Sequence, residues 1–223
     1  DETSLNLYAS GPLIKDHLFF YAMYEGRDND SENSDDAYAN FNEANTGSGF
    51  WGTTLDWRLN DNHSFSFLAF SDNDKVTTDV FSVDSAGTRT PANTIFDETG
   101  GDNWSLSYTG FLTDTFSMKA LYGENDRNAN TSSLNDENCA LVQDHRVGSS
   151  FLGCTTNTAV IARDDKRKAY RLDFEWGLGD HLLRFGLDHE QNTSAYNQRY
   201  PGPGFRYEVF NAGSVVNGTP VPP

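Results

Sequence analysis

Long apolar runs are missing from this chain. Nowhere do ~18 consecutive apolar residues occur, so no membrane-spanning helix is expected. Positive charge is also scarce: 16 Lys and Arg stand against 33 Asp and Glu, a net charge of −17 and a pI near 4.4. Nucleic acid is excluded as a partner, because phosphate binding needs a basic face and none is visible. Cysteine is limited to Cys139 and Cys154. Neither has a CxxC neighbour or a ligand set for zinc. A loop disulfide is the expectation, which implies an oxidising compartment and would contribute about 3 kcal/mol locally on the chain-entropy model. A basic-then-apolar leader is absent at Asp1, as expected of a mature protein or of an internal fragment.

Enzyme signatures are lacking as well. There is no G-x-S-x-G and no P-loop. "GLGDHLLRFG", residues 177–186, is not a dinucleotide fingerprint, since no helix is expected after it. His181 and His189 neighbour Asp180 and Asp188, but fall at a turn and at the far end of a strand, too far apart to act together. The other histidines are His17, His63 and His145. No catalytic residue, metal site or cofactor is expected, and the chain is not read as an enzyme.

What the chain does have is rings: 13% aromatic, with 16 Phe, 10 Tyr and 4 Trp, at a mean hydropathy of only −0.64. Apolar stripes must therefore be concentrated between hydrophilic segments. They recur with period 2, and no sustained 3.6-residue stripe competes with them. Trp51, Thr53, Leu55, Trp57 and Leu59 face away from Asp56 and Arg58. Phe65, Phe67 and Ala69 follow the turn Asn60–Asn62. Trp104, Leu106, Tyr108 and Leu112 oppose Ser105, Ser107 and Thr109. Phe116, Met118, Ala120 and Tyr122 oppose Ser117 and Lys119. An earlier pair, 3–10 and 17–26, brackets "GPLIKD"; its second member is apolar on both parities, so its outward side is left open.

"YRLDFEWGLGDHLLRFGLDHE", residues 170–190, specifies its own register. If Gly179-Asp180 is a two-residue hairpin turn, Leu178 lies opposite His181, Trp176 opposite Leu183, Phe174 opposite Phe185 and Leu172 opposite Leu187. On the reverse face Glu175 meets Arg184 and Arg171 meets Asp188. Each such pair is worth ~0.2–1 kcal/mol, and a one-residue slip scrambles both faces.

Short turns near 11–16, 60–62, 113–115 and 179–180 alternate with long polar connections at about 27–48, 71–102, 123–168 and 191 onward, which are read as loops. Loops of that length are uncommon in compact soluble domains. Short turns at one end and long loops at the other, joined by two-faced strands of ~9–11 residues, are the pattern of an outer-membrane barrel. The oily face would meet lipid and the charged face a wet interior, and only a closed barrel leaves no unpaired edge in lipid. A secreted β-sandwich, with its oily faces packed on each other, is the alternative on pattern alone.

Three polar segments carry candidate chemistry. Asp28, Asp30 and Glu32, in the acidic run 27–43, have a spacing that could ligate calcium, against the reading of a solvated loop. Cys139 and Cys154 are the bridge. "YNQRYPGPGFRYEVF", residues 196–210, could stack on a sugar or grip a peptide, or pack its own rings.

"GPLIKDHLFFYAMYEG", residues 11–26, resembles the early barrel hairpin of Oar-like TonB-dependent outer-membrane receptors. Gly11, Pro12, Lys15, Asp16, Leu18, Phe19, Phe20, Tyr24 and Glu25 fill the pattern. The later hairpins and the cysteine-bearing loop also look like that family, though more generically. The resemblance implies an all-β fold: an antiparallel up-and-down transmembrane β-barrel with short periplasmic turns and long extracellular loops. The chain would supply about eight strands of a larger barrel, as a single segment over 1–223, with 192–223 as an external loop. It implies energised uptake of a nutrient (peptide, saccharide or metal chelate) across the Gram-negative outer membrane. The partners implied are the lipid bilayer, the plug domain, the remaining barrel strands, the TonB complex and an unidentified solute. The lumen-facing set would be Asp56, Arg58, Lys119, Arg171, Asp173, Glu175, Arg184 and Asp188. The lipid-facing and girdle set would be Trp51, Trp57, Trp104, Tyr108, Tyr122, Tyr170, Phe174, Trp176 and Phe185. The family's plug and TonB-contacting segment are not found here, and "TPVPP" cannot be a ladder strand, so an internal fragment is expected. A self-contained eight-stranded barrel and a soluble β-sandwich binding or adhesion module are the alternatives.

Overall fold

The protein is described here from a computed structural model covering residues 1–35, 40–154 and 157–222. Among the described residues there is no helix. The strands are β1 (Glu2–Ile14), β2 (Leu18–Asp35), β3 (Asn40–Asn60), β4 (His63–Ser71), β5 (Asp74–Val83), β6 (Arg89–Gly100), β7 (Asp102–Thr113), β8 (Phe116–Ser133), β9 (Leu141–Asp144), β10 (Ser150–Leu152), β11 (Val160–Leu178), β12 (His181–Arg199), β13 (Arg206–Val209), β14 (Val215–Val216) and β15 (Thr219–Pro220).

Ten of them form one antiparallel sheet, whose main path runs β1-β2-β3-β4-β7-β8-β11-β12. β5 pairs with β3 and β6, and β6 pairs with β8. Both joints keep register. β3 pairs Trp51 with Ser71 of β4 and Thr46 with Val76 of β5. Hence β4 and β5 are one long strand interrupted at Asp72 and Asn73, and β6 and β7 are one interrupted at Gly101. The interruption is tied across: Asp72 N–H donates to Gly101 O at 3.2 Å, and Gly101 N–H donates to Asp72 Oδ1 at 3.0 Å. The result is an up-and-down meander eight strands wide. β1 and β12 are its outer strands and do not pair with each other.

The register expected for 170–190 is the one formed, from Leu178 opposite His181 to Arg171 opposite Asp188. Gly179 takes φ 58° at the first turn position while Asp180 is not left-handed, the φ signs of a type II′ turn, which twists with its strands. At the first turn Asp16 takes φ 64°, a conformation Asp tolerates better than most residues.

Three expectations are corrected. The strands are longer than ~9–11 residues: β3 has 21 and β11 and β12 have 19 each. Most of the long connections are therefore strand. β2 runs to Asp35 and β3 starts at Asn40, β5 and β6 fill most of 71–102, β8 reaches Ser133, and β12 continues to Arg199. The turn expected near 11–16 is confined to 15–17: Gly11 and Pro12 lie inside β1, which runs on through a bulge between Pro12 and Ile14. Proline is accommodated there beside the bulge, close to the end of the strand.

Little of the chain is buried. Among the described residues the buried apolar side chains are Ala69, Val80, Cys139, Leu141 and Pro201, and only the first two belong to the large sheet. The others sit at the end opposite the short turns, where residues 134–154, 157–159 and 200–211 form a separate cluster. Cys139 and Cys154 are bonded there, with Cα atoms 5.8 Å apart. β10, β9 and β13 make a small sheet, with β13 parallel to β9.

Candidate functional site

The cross-strand register assigns every strand residue to one of two faces. Arg171 pairs with Asp188 and Leu121, Asp173 with Lys119, and Glu175 with Arg184. Leu121 pairs onward to Ser107, and Ser107 to Ser66, which faces Asp56; Lys119 pairs to Thr109, then Ser64, which faces Arg58. All eight residues of the expected lumen set thus share one face. The nine expected lipid-facing residues all lie on the other. The register also assigns 17–26: Leu18, Phe20 and Tyr24 join the apolar face, because they pair with Trp57, Leu55 and Trp51.

The apolar face has no cover. Among the described residues no second sheet stacks on it, and its rings stand open, with Trp176 41%, Trp51 43% and Phe185 52% exposed. An apolar patch that extends over eight strands marks an interaction surface. Its rings touch side by side across the strands. One chain of contacts joins Trp104 to Tyr122 at 5.1 Å and Tyr122 to Tyr170 at 4.8 Å. Another joins Trp57 to Phe65 at 5.6 Å and Phe65 to Tyr108 at 5.0 Å. Phe116 meets Trp176 at 6.0 Å, and Phe174 meets Phe185 at 5.2 Å. Trp51 and Trp57 bracket Leu55 on β3 as Tyr170 and Trp176 bracket Leu172 and Phe174 on β11. At ~3.3 Å per residue the two aromatic levels are about 20 Å apart along the strand. Beyond the Tyr122 level the face turns polar: the Tyr122 hydroxyl donates to Glu124, and Lys168 and Lys166 pair with Glu124 and Asp126 at 3.3 and 3.1 Å.

The charged face is laced by ion pairs. Arg184 Nε lies 2.8 Å from Glu175 Oε2, as its register predicts. Arg171 differs: it faces Asp188 in register, but its guanidinium turns along its own strand to Asp173, 2.8 Å away. Arg163 and Asp165 repeat that arrangement at 2.8 Å. Asp56 accepts from Ser66 Oγ at 2.6 Å. A trough of about 470 Å³ runs beside Lys119, Arg171, Asp173, Glu175 and Arg184. Nearer the loop end, the Ser194 hydroxyl holds the Asp165 carboxyl below its ordinary range.

The remaining candidates are dispersed. Asp28 and Asp30 both accept from Asn45 Nδ2, at 3.3 and 2.8 Å. Residues 36–39 of the acidic run lie outside the described residues. Among the described residues no group of three or more His, Cys, Asp or Glu is gathered as a metal would require. His181 sits at the Gly179-Asp180 turn, opposite Leu178, and His189 stands opposite Tyr170. His63 shares a hydrogen bond of 2.7 Å with the Tyr108 hydroxyl.

At the loop end Asp136 is buried. Its Oδ2 accepts from Ser133 N at 2.6 Å and its Oδ1 from Ser133 Oγ and Asn157 Nδ2 at 2.7 and 3.2 Å. Asp144 binds Arg146 through both carboxylate oxygens, at 3.0 and 2.8 Å, and the side-chain hydrogen bonds hold it down to about 2. Nothing in the sequence singled out Asp136 or Asp144: Asp136 depends on Asn157, 21 residues on, and the Asp144–Arg146 pair is local but matches no motif.

The fold and this two-faced surface define a class: an all-β protein built on one wide antiparallel sheet. Comparison with protein-family models, with curated proteins and with solved structures gives no match.

Proposed function

We propose that the chain is part of the wall of a TonB-dependent outer-membrane receptor, a barrel for energised uptake of a nutrient. The observation that carries this reading is the uncovered apolar face, bounded by two aromatic levels and backed by a charged face. Water is a poor solvent for that surface, and lipid is a good one. The two levels, about 20 Å apart along the strand, stand about 15 Å apart in height at the ~40° tilt of a barrel wall, inside the ~25 Å apolar band that aromatic girdles flank. In this reading the charged face lines the lumen, the short turns are periplasmic, and the polar extensions of β2, β3, β8, β11 and β12 stand outside the membrane. The free edges of β1 and β12 pair with the remaining strands of the barrel, since unpaired amides are not tolerated in hydrocarbon. No covalent chemistry is involved: loops capture solute, and the plug, driven by the TonB complex, releases it. The resemblance of 11–26 supports the choice of family.

All four tryptophans lie on the apolar face, which provides the test. Refolded into vesicles, the chain is expected to show tryptophan emission quenched by brominated acyl chains and protected from aqueous iodide. A chain that is monomeric in plain buffer, with its tryptophans open to iodide, would overturn the proposal in favour of a soluble module.

A further inference from the structure

We propose that the cleft formed by Tyr200, Phe205, Arg206 and Glu208 at the loop end is a saccharide-binding site, taking a sugar through the flat C–H face of its ring. The cleft has a volume of about 380 Å³, within the range of small-ligand sites. Its rings are open to water, Phe205 66% and Tyr200 37% exposed, although a buried core lies directly behind them.

That core anchors the backbone on which the rings stand. Pro201, between them in sequence, is fully buried. Gly202 turns the chain at φ 69°, and a Cβ there would come 2.8 Å from the Ala140 backbone. Its N–H donates to Asp136 O at 2.6 Å. Arg199 clamps the approach, with Nη2 3.0 Å from Glu137 Oε1. β13 is paired to β9, whose flank carries the Cys139–Cys154 bridge. Exposed rings on so fixed a support are pre-organised for stacking, with little ordering left to do on binding.

The polar groups select among ligands that stack. Arg206 Nη2 lies 2.5 Å from Glu208 Oε1, and the guanidinium carbon is 5.8 Å from the Tyr200 ring centre. His145 Nε2 stands 4.0 Å from the same Glu208 oxygen. Arg206 is thus neutralised, which disfavours a free anion. The pair instead offers donors and an acceptor side by side. Sugar hydroxyls donate and accept, and satisfy both. A polyproline segment also stacks on rings, but brings only carbonyl acceptors and leaves Glu208 without a donor. Sugars with equatorial hydroxyls, as in β-linked glucans and chitin fragments, present the flattest C–H face. The cleft owes nothing to the apolar sheet face, so this binding is expected whether or not the sheet lies in lipid.

The test is saturation-transfer NMR on the full chain, in a zwitterionic detergent without sugar headgroups, with cellotetraose, chitotetraose and a decaproline peptide as probes. Transfer to sugar ring protons is expected. Phe205→Ala and Tyr200→Ala should each weaken binding roughly three- to tenfold, the range of a single ring contact. Tyr207→Ala, on the opposite side of β13, should leave it unchanged and serves as the folding control. No transfer from either oligosaccharide, transfer that survives both ring variants, or transfer from decaproline alone overturns the proposal.

Discussion

Two loop aspartates illustrate what single residues do here. Asp136 is a carboxylate with almost no access to water, and it persists because three donors from two segments converge on it. Truncation would strand the Ser133 amide and the Asn157 amide group, each worth ~1–3 kcal/mol when buried unsatisfied. Asp136→Ala is therefore expected to release residues 134–144 locally, seen as faster amide exchange around Cys139 and Leu141, with the large sheet unaffected. Asp144 makes a prediction about pH. Its folded pKa, about 2, lies below the ordinary 3.8 because Arg146 hydrogen-bonds the charged form. A depressed carboxylate stabilises above its unfolded pKa and loses that contribution as pH falls through the folded one. Carboxyl NMR should find Asp144 titrating near 2, its contribution intact at neutral pH and eroding only between about pH 4 and 2. In Arg146→Ala the midpoint should return toward 4.

At the scale of elements, legibility followed solvent contrast. β11 and β12 were readable at 170–190 because each strand there separates two environments, so Leu172, Phe174 and Trp176 alternate with Arg171, Asp173 and Glu175. Their register, turn and faces all followed. Within the same strands, 160–168 and 191–199 read as loop. There both faces are wet, and nothing forces Lys166 and Arg167 to differ in kind. The same holds for 40–48 and 123–133. These extensions are held by the backbone ladder and by short polar contacts that leave no periodic trace. Thr131 Oγ1 donates to Asp97 Oδ1 at 2.6 Å, Thr94 Oγ1 to Asp79 Oδ1 at 2.6 Å, and Ser194 Oγ to Asp165 Oδ1 at 2.5 Å. The loop-end cluster was legible only in its pieces, the cysteine pair and the ring-rich 196–210, because its assembly depends on contacts such as Gly202 to Asp136 that span many residues. Hydrogen exchange measures the difference directly. Amides of 124–131 and 163–169 should be protected as strand, well above those of 84–88 and 211–214. Exchange at loop rates would return them to the connections their composition suggests.

For the molecule as a whole, the question is which solvent each face meets, and one strand and its neighbours suffice to ask it. Leu187 lies on the apolar face opposite Leu172, between the two aromatic levels, and is 71% exposed. Because almost nothing packs on it, a substitution there reports solvent and not lost contacts. If that face meets water, Leu187→Arg should change stability by no more than ~0.5 kcal/mol, like other surface changes. If it meets hydrocarbon, the cost rises toward the ~2–4 kcal/mol of a cation at the midplane of a barrel wall. Ser107, at a similar depth on the charged face, pairs with Ser66 and Leu121. Ser107→Arg should be nearly neutral under either reading, because a wet face solvates the guanidinium and Asp56 lies close by. Urea titrations of both variants in lipid vesicles therefore give a difference in which errors of refolding cancel. A large penalty at Leu187 with little at Ser107 is the outcome expected of a wall with lipid on one side and water on the other. Equal and small penalties would mean that water reaches both faces, and the apolar face would then need another protein to cover it.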